Sequence, residues 1–173
     1  MRGQCLSGSS LKVIAMVTMV IDHTACYFVS DGWEYECMRG IGRIAFPIFA
    51  FLIAEGYRHT RRKWDYGRNL LIFAFISEIP WMLLHTDGSH NVLFTLLAGL
   101  CCIAILDKLK KHKILPLLFI LVIALATSTL NTDYGIQGVA LVLMFYLFKD
   151  KPLLQLLFAL PLFYDFHPLG ILA

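Results

Sequence analysis

The sequence has 173 residues, of which 58% are hydrophobic and only 16% charged, and its mean hydropathy is +0.70. Water-soluble domains of this size do not normally carry that balance, so the chain is read as an integral membrane protein. Its net charge of +3 comes from basic residues that fall mostly in loops, which leaves no basic face to track DNA or RNA and sets nucleic acid aside as a partner.

Apolar runs alternate with short polar punctuation from end to end. Spans are expected near 11–29, 40–57, 69–84, 92–106, 114–130, 136–148 and 152–163, with a short apolar tail from Pro168. The fold class is therefore all-α, a polytopic transmembrane helix bundle of about seven spans. Several runs are shorter than the roughly 20 residues a perpendicular crossing prefers, so local thinning or burial behind other helices is expected. Asp22 and His23 interrupt any signal-peptide core, so the first span is read as a retained helix. No linker or repeat is visible, and residues 1–173 are read as one integral-membrane domain.

Loop charge sorts by side. "RHTRRKWDYGRN", "DKLKKHK" and "KDK" are basic, whereas "SDGWEYEC", "HTDGSHN" and "NTDYGIQ" contain no lysine or arginine. The positive-inside rule then places the N-terminus and the basic loops in the cytoplasm. Seven spans would put the C-terminus outside, and the abrupt apolar end "FHPLGILA" reads as a chain cut before a further helix.

Polar residues inside the spans carry the chemistry. Lys12 and His23 are eleven residues apart, which on a helix is about 20° beyond three turns and about 16 Å along the axis. One face thus joins a cytosolic cation, suited to phosphate, to an imidazole at mid-membrane depth, suited to proton transfer. The second span carries Arg43 in its outer half and Glu55 near its inner end; the third carries Ser77, Glu78 and Pro80. Counted from the cytoplasmic ends, His23 lies about 18 Å deep, Arg43 about 21 Å and Glu78 about 14 Å. Titratable residues gathered at one depth point to a functional site, although an ion-pair cluster that glues the bundle has the same composition. Asp22 is about 100° around the helix from His23, so it either serves the imidazole or pairs with Arg43. Arg58 and Arg61, three apart, present both guanidinium groups on one side if the helix continues one turn further, an arrangement suited to phosphate.

Other polar positions are read blandly. Thr95, Thr127 and Ser128 are expected to bond back to their own helices, and Asn91, Asp133 and Tyr134 to sit at outer ends. The steps Phe46-Pro47 and Ile79-Pro80 are expected to kink their helices. His85, His90, His112 and His167 lack metal-ligand spacing, as do Cys5, Cys26, Cys37, Cys101 and Cys102, so no metal is expected and no disulfide framework is implied.

The blocks "LKVIAMVTMVIDH", "GRIAFPIFAFLIAEGYRHTR", "LLIFAFISEIPW", "NVLFTLLAGL" and "DYGIQGVALVLMFYLF" resemble, in order, those of the TraX family, named for the conjugation protein that acetylates the N-terminus of F-type pilin. The resemblance runs over about residues 11–148, and members usually continue to a further membrane segment. TraX-like proteins are similar in turn to acyltransferase type 3 proteins and heparan-glucosaminide acetyltransferases. The former carry a basic residue, ten intervening residues and a histidine, the spacing of Lys12 and His23, and an R-x-x-R motif of the form Arg58-His59-Thr60-Arg61.

The resemblance implies a bacterial cytoplasmic-membrane acetyltransferase. Acetyl-CoA would dock its phosphates near Lys12, Arg58 and Arg61. His23 would act as base, Asp22 or Glu78 would hold the imidazole, and Arg43 would either pair with Asp22 or stabilise an oxyanion. An acetyl-histidine relay stays open beside direct transfer. The implied acceptor is an exported peptide such as pilin, or a surface glycan; membrane lipids are further partners, and self-association stays open. Rival readings are a small proton-coupled transporter, against which stands the lack of an inverted repeat, and a structural partner of a secretion or conjugation assembly.

Overall fold

The computed structural model describes residues 7–165. Cys5, His167 and the tail from Pro168 lie outside the described residues. The described chain is all-α, with α1 (Gly8–Phe28), α2 (Trp33–Gly42), α3 (Ala45–His59), α4 (Lys63–Leu84), α5 (Val92–Lys108), α6 (Leu115–Thr129), α7 (Gly135–Leu147) and α8 (Pro152–Asp165). Three stretches are long and apolar enough to cross a membrane, Gly8–Phe28, Trp33–His59 and Lys63–Leu84, and Leu115–Thr129 and Gly135–Leu147 are shorter apolar helices.

Helix boundaries follow local chemistry. Ser7 caps α1, its hydroxyl accepting the Ser10 amide at 3.0 Å. The segment expected as the loop "SDGWEYEC" is instead largely helical: α2 begins at Trp33, with Glu34 and Glu36 in its first turn and Arg39 in its last, charges that suit the helix dipole. The second span is two helices and not one. Pro47 lacks an amide hydrogen and its ring crowds the carbonyl of residue i−4, which is Arg43, so helical bonding is weakened there. The break falls at Arg43 and Ile44. Pro80, by contrast, lies inside α4, which continues to Leu84.

The chain divides into two compact units, one of residues up to Leu52 together with those from Leu156, the other Ile53–Gln155. In the first, α1 packs on α2. The crossing is tight at Gly42, where an added Cβ would strike the Asp22 side chain and come within 2.7 Å of its Cα. Small residues let membrane helices approach this closely. In the second unit, α4, α6 and α7 all pack on α5. Its buried face of Thr95, Leu96, Gly99, Leu100, Cys102 and Ile103 meets Val139, Val142 and Phe145 of α7, which are also buried. A Cβ on Gly99 would lie 2.7 Å from that of Val142.

Candidate functional site

In the first unit the unbroken α1 carries Lys12, Asp22 and His23. The buried face of α1 is Ala15, Thr18 and Ala25. Asp22 turns toward α2, and Arg39 donates to its Oδ2 at 2.6 Å. The expected pairing of Asp22 with Arg43 is therefore replaced by one with Arg39, four residues earlier on the helix that the sequence had disguised as a loop. The second oxygen, Oδ1, is buried and accepts no hydrogen bond among the described residues. Arg43 sits at the break after α2, its amide donating to the Arg39 carbonyl at 3.0 Å.

His23 lies about 100° around α1 from Asp22, and Asp22 does not hold its ring. Its Nδ1 is 2.8 Å from the carbonyl of Met19. A carbonyl only accepts, so Nδ1 carries the hydrogen. In the neutral ring Nε2 then bears the lone pair, and it makes no hydrogen bond among the described residues. Tyr27, one turn on, has its ring centroid 6.3 Å from the imidazole. This is the tautomer a base or nucleophile needs, set by the helix's own backbone.

In the second unit Glu78 is 8% exposed and fully engaged. Its Oε1 lies 2.5 Å from His90 Nδ1; its Oε2 accepts the Asn91 amide at 3.1 Å and Asn91 Nδ2 at 2.6 Å. Asn91 Nδ2 also reaches the Ala74 carbonyl at 2.9 Å, and Asn91 Oδ1 caps α5 through the Leu93 amide at 2.9 Å. Glu78 also lies further along its helix than expected. Because α4 starts at Lys63 and not near residue 69, fifteen steps, or about 22 Å, separate Lys63 from Glu78.

Two loops close over this cluster. The His90 amide donates to Asn131 O at 3.1 Å, and the Asp133 amide donates to His90 O at 2.9 Å. Thr95 donates to the Asp133 carbonyl, and its hydroxyl is 3.0 Å from that of Thr132. Asn131 and Tyr134 hold positive φ angles of 50° and 63°, a conformation that costs a bulky residue such as tyrosine about 1–2 kcal/mol. In the adjoining loop Ser89 donates from both hydroxyl and amide to Asp87, which holds that carboxyl below the usual aspartate range.

At the basic-loop end of the same unit, α3 stops at His59, so Arg58 and Arg61 do not share a helical face. Arg58 turns inward: it pairs with Glu55, donates to the Phe145 carbonyl at 2.6 Å and also to that of Tyr146. It thereby satisfies carbonyls of the last turn of α7. Arg61 is exposed. Beside them Lys63 donates to Asp107 at 2.6 Å, and the Tyr57 hydroxyl donates to the same oxygen at 3.2 Å.

Set against known families, residues 7–165 match the family model described as TraX protein. The chain belongs to the TraX family. It is 35% identical over 151 residues to a protein of Dichelobacter nodosus named probable fimbrial assembly protein FimC, serogroup H1, covering 80% of this chain and 61% of that relative. It is 30% identical over 94 residues to an uncharacterized protein of Rickettsia prowazekii (strain Madrid E), covering 54% of this chain and 35% of that one. The TraX-family chain thus spans less than two thirds of the length of these relatives. No solved structure matches it.

Sequence reasoning missed Arg39, His90 and Asn91 as partners of the buried acids. Arg39 was hidden because a helix start was read as a loop. His90 and Asn91 stand twelve and thirteen residues after Glu78 across a chain reversal, where helical spacing carries no signal. The one available clue was the acid itself, since a carboxylate inside an apolar helix demands donors from somewhere. No group of three or more His, Cys, Asp or Glu suited to a metal occurs among the described residues.

Proposed function

We propose that this TraX-family chain is the membrane-embedded part of an acetyltransferase, N-terminus in the cytoplasm, multi-pass in a bacterial cytoplasmic membrane. It moves an acetyl group from cytosolic acetyl-CoA to an amine or hydroxyl of an exported peptide, such as a pilin, or of a surface glycan. The observation that carries this reading is α1: an unbroken helix puts Lys12 and His23 about 16 Å apart along one face, and Met19 leaves His23 Nε2 as the reactive nitrogen.

In this reading Lys12 is a phosphate anchor at one end of α1, and in the second unit the exposed Arg61 is a cation suited to phosphate. Arg58, committed to Glu55 and α7, supports the loop that carries Arg61. His23 Nε2 acts on the acetyl donor side. In direct transfer it takes a proton from the attacking amine or hydroxyl as the C–N or C–O bond forms, then returns it to the departing CoA thiolate as the C–S bond breaks. In a relay it first takes the acetyl group itself. Asp22, paired with Arg39, and Arg43 at the α2–α3 break serve as the charged support of this unit.

The test uses protein reconstituted in nanodiscs with labelled acetyl-CoA and a peptide carrying a free α-amine. Wild type should transfer label, and His23→Gln should lose transfer by at least about 10²-fold while still binding acetyl-CoA. Label trapped on His23 after an acid quench identifies the relay. Absence of acetyl-CoA binding and turnover by wild type, or unchanged transfer by His23→Gln, overturns the reading; a proton flux without acetyl-CoA turnover would indicate the permease instead.

A further inference from the structure

An ammonium that becomes an amide loses two protons, one before it can attack and one as the C–N bond forms. A single base at the acetyl donor handles the second, which leaves with the CoA thiol. The first needs another acceptor. A hydroxyl acceptor loses only one proton, so the requirement is specific to amines.

The second unit holds an imidazole built for that step. Glu78 already receives both Asn91 donors on Oε2, surroundings that favour the ionised carboxylate. Its Oε1 therefore takes the Nδ1 hydrogen of His90 across 2.5 Å, and the lone pair of the neutral ring falls on Nε2. That nitrogen makes no hydrogen bond among the described residues. The carboxylate is almost closed off whereas the imidazole side chain is 42% exposed, so the pair opens outward through histidine. The ring is held from three sides: by Glu78, by the main-chain bonds of His90 to Asn131 and Asp133, and by the edge-to-face Phe94 at 5.8 Å.

Charge around it suits an ammonium. The titratable groups on and beside the two loops are Glu78, His85, Asp87, Asp133 and Tyr134, with no lysine or arginine between His85 and Asn91 or between Leu130 and Gln137. A cationic amine is drawn to such a site and a phosphate is not.

We propose that His90 Nε2 takes the first proton from the ammonium of a peptide-like acceptor, with Glu78 as the residue that positions the ring. The proton passes from nitrogen to Nε2 and on to water, and the amine is released as the nucleophile. This rests on the acetyl-transfer reading and narrows its acceptor to amines.

The deciding experiment compares wild type with His90→Asn, whose side-chain amide can still donate to Glu78 but has no basic nitrogen. Reconstituted proteins are given labelled acetyl-CoA and a peptide with a free N-terminus, from pH 6 to 9. His90→Asn should bind acetyl-CoA as wild type does but transfer several-fold more slowly at pH 7, where roughly one α-amine in seven is already free, and more than about 10-fold more slowly at pH 6. The deficit should shrink above pH ~8, where the free α-amine predominates without help. A deficit equal at every pH, or none, overturns the assignment while leaving acetyl transfer standing; a wild type that consumes no acetyl-CoA removes both.

Discussion

At the scale of single residues, what decides each buried charge is whether its donors can be counted. Glu78 has three, and two come from Asn91, which is 3% exposed. Asn91→Ala removes the side-chain donor and the α5 cap together and should cost about 2–3 kcal/mol, read as a lowered unfolding temperature in detergent. Asn91→Asp is the sharper variant. Aspartate caps helices as well as asparagine does, yet here it would set a second carboxylate against Glu78, so it should destabilise at least as much as alanine. Equal stability of Asn91→Asp and wild type would mean that Glu78 does not depend on Asn91 Nδ2. On Asp22, one guanidinium nitrogen of Arg39 makes the contact; Arg39→Lys should therefore be mild, and Arg39→Met should cost about 1–3 kcal/mol by stranding a half-buried carboxylate.

Among elements, the two close helix crossings have signs that can be worked out. In an open helix, replacing glycine by alanine gains up to about 1 kcal/mol. Gly40 has open space for a Cβ, whereas Gly42 has Asp22 there. Gly40→Ala should thus be neutral or stabilising, and Gly42→Ala should lose about 1–3 kcal/mol through the forced shift of α1. Thermal unfolding of the pair in one detergent checks this, and a stabilised Gly42→Ala would contradict the crossing. Much of the element pattern was legible in the sequence: apolar runs located α1 and α5 to α8 within a few residues and the end of α4, whose polar first turns hid its start, because hydropathy and loop punctuation are local signals. The α2–α3 break was legible only in part. Pro47 announces it, but the run Trp33–Gly42 contains Glu34, Glu36 and Arg39 and reads as a loop by polarity; only its fold against α1 makes it a helix. For the same reason the catalytic candidate His23 was visible from its spacing to Lys12, while the partners of Asp22 and Glu78 were not, since they lie across helix and loop contacts.

For the molecule as a whole, the alternation of basic and acidic loops makes a topological prediction. In a background without Cys5, Cys26, Cys37 and Cys101, a cysteine placed at Gly88 should react with a membrane-impermeant maleimide in intact cells, and one at Lys111 only after permeabilisation. The reverse pattern would invert the proposed orientation and put His90 on the donor side. The cysteine scan should also give the same answer at Ser128 as at Gly88, since the Ser128 end of α6 leads into the loop that pairs with His90. That pairing sets a rule for how such proteins can change over evolution. The stretch 85–91 and the stretch 130–135 are fastened to each other at His90, by Asn131 on one side and Asp133 on the other. A residue inserted into either one pulls the imidazole off Glu78 unless the other changes too. Across TraX-family sequences that keep a histidine at this place, the two loops should therefore vary in length together, as a single inherited piece interrupted by two helices.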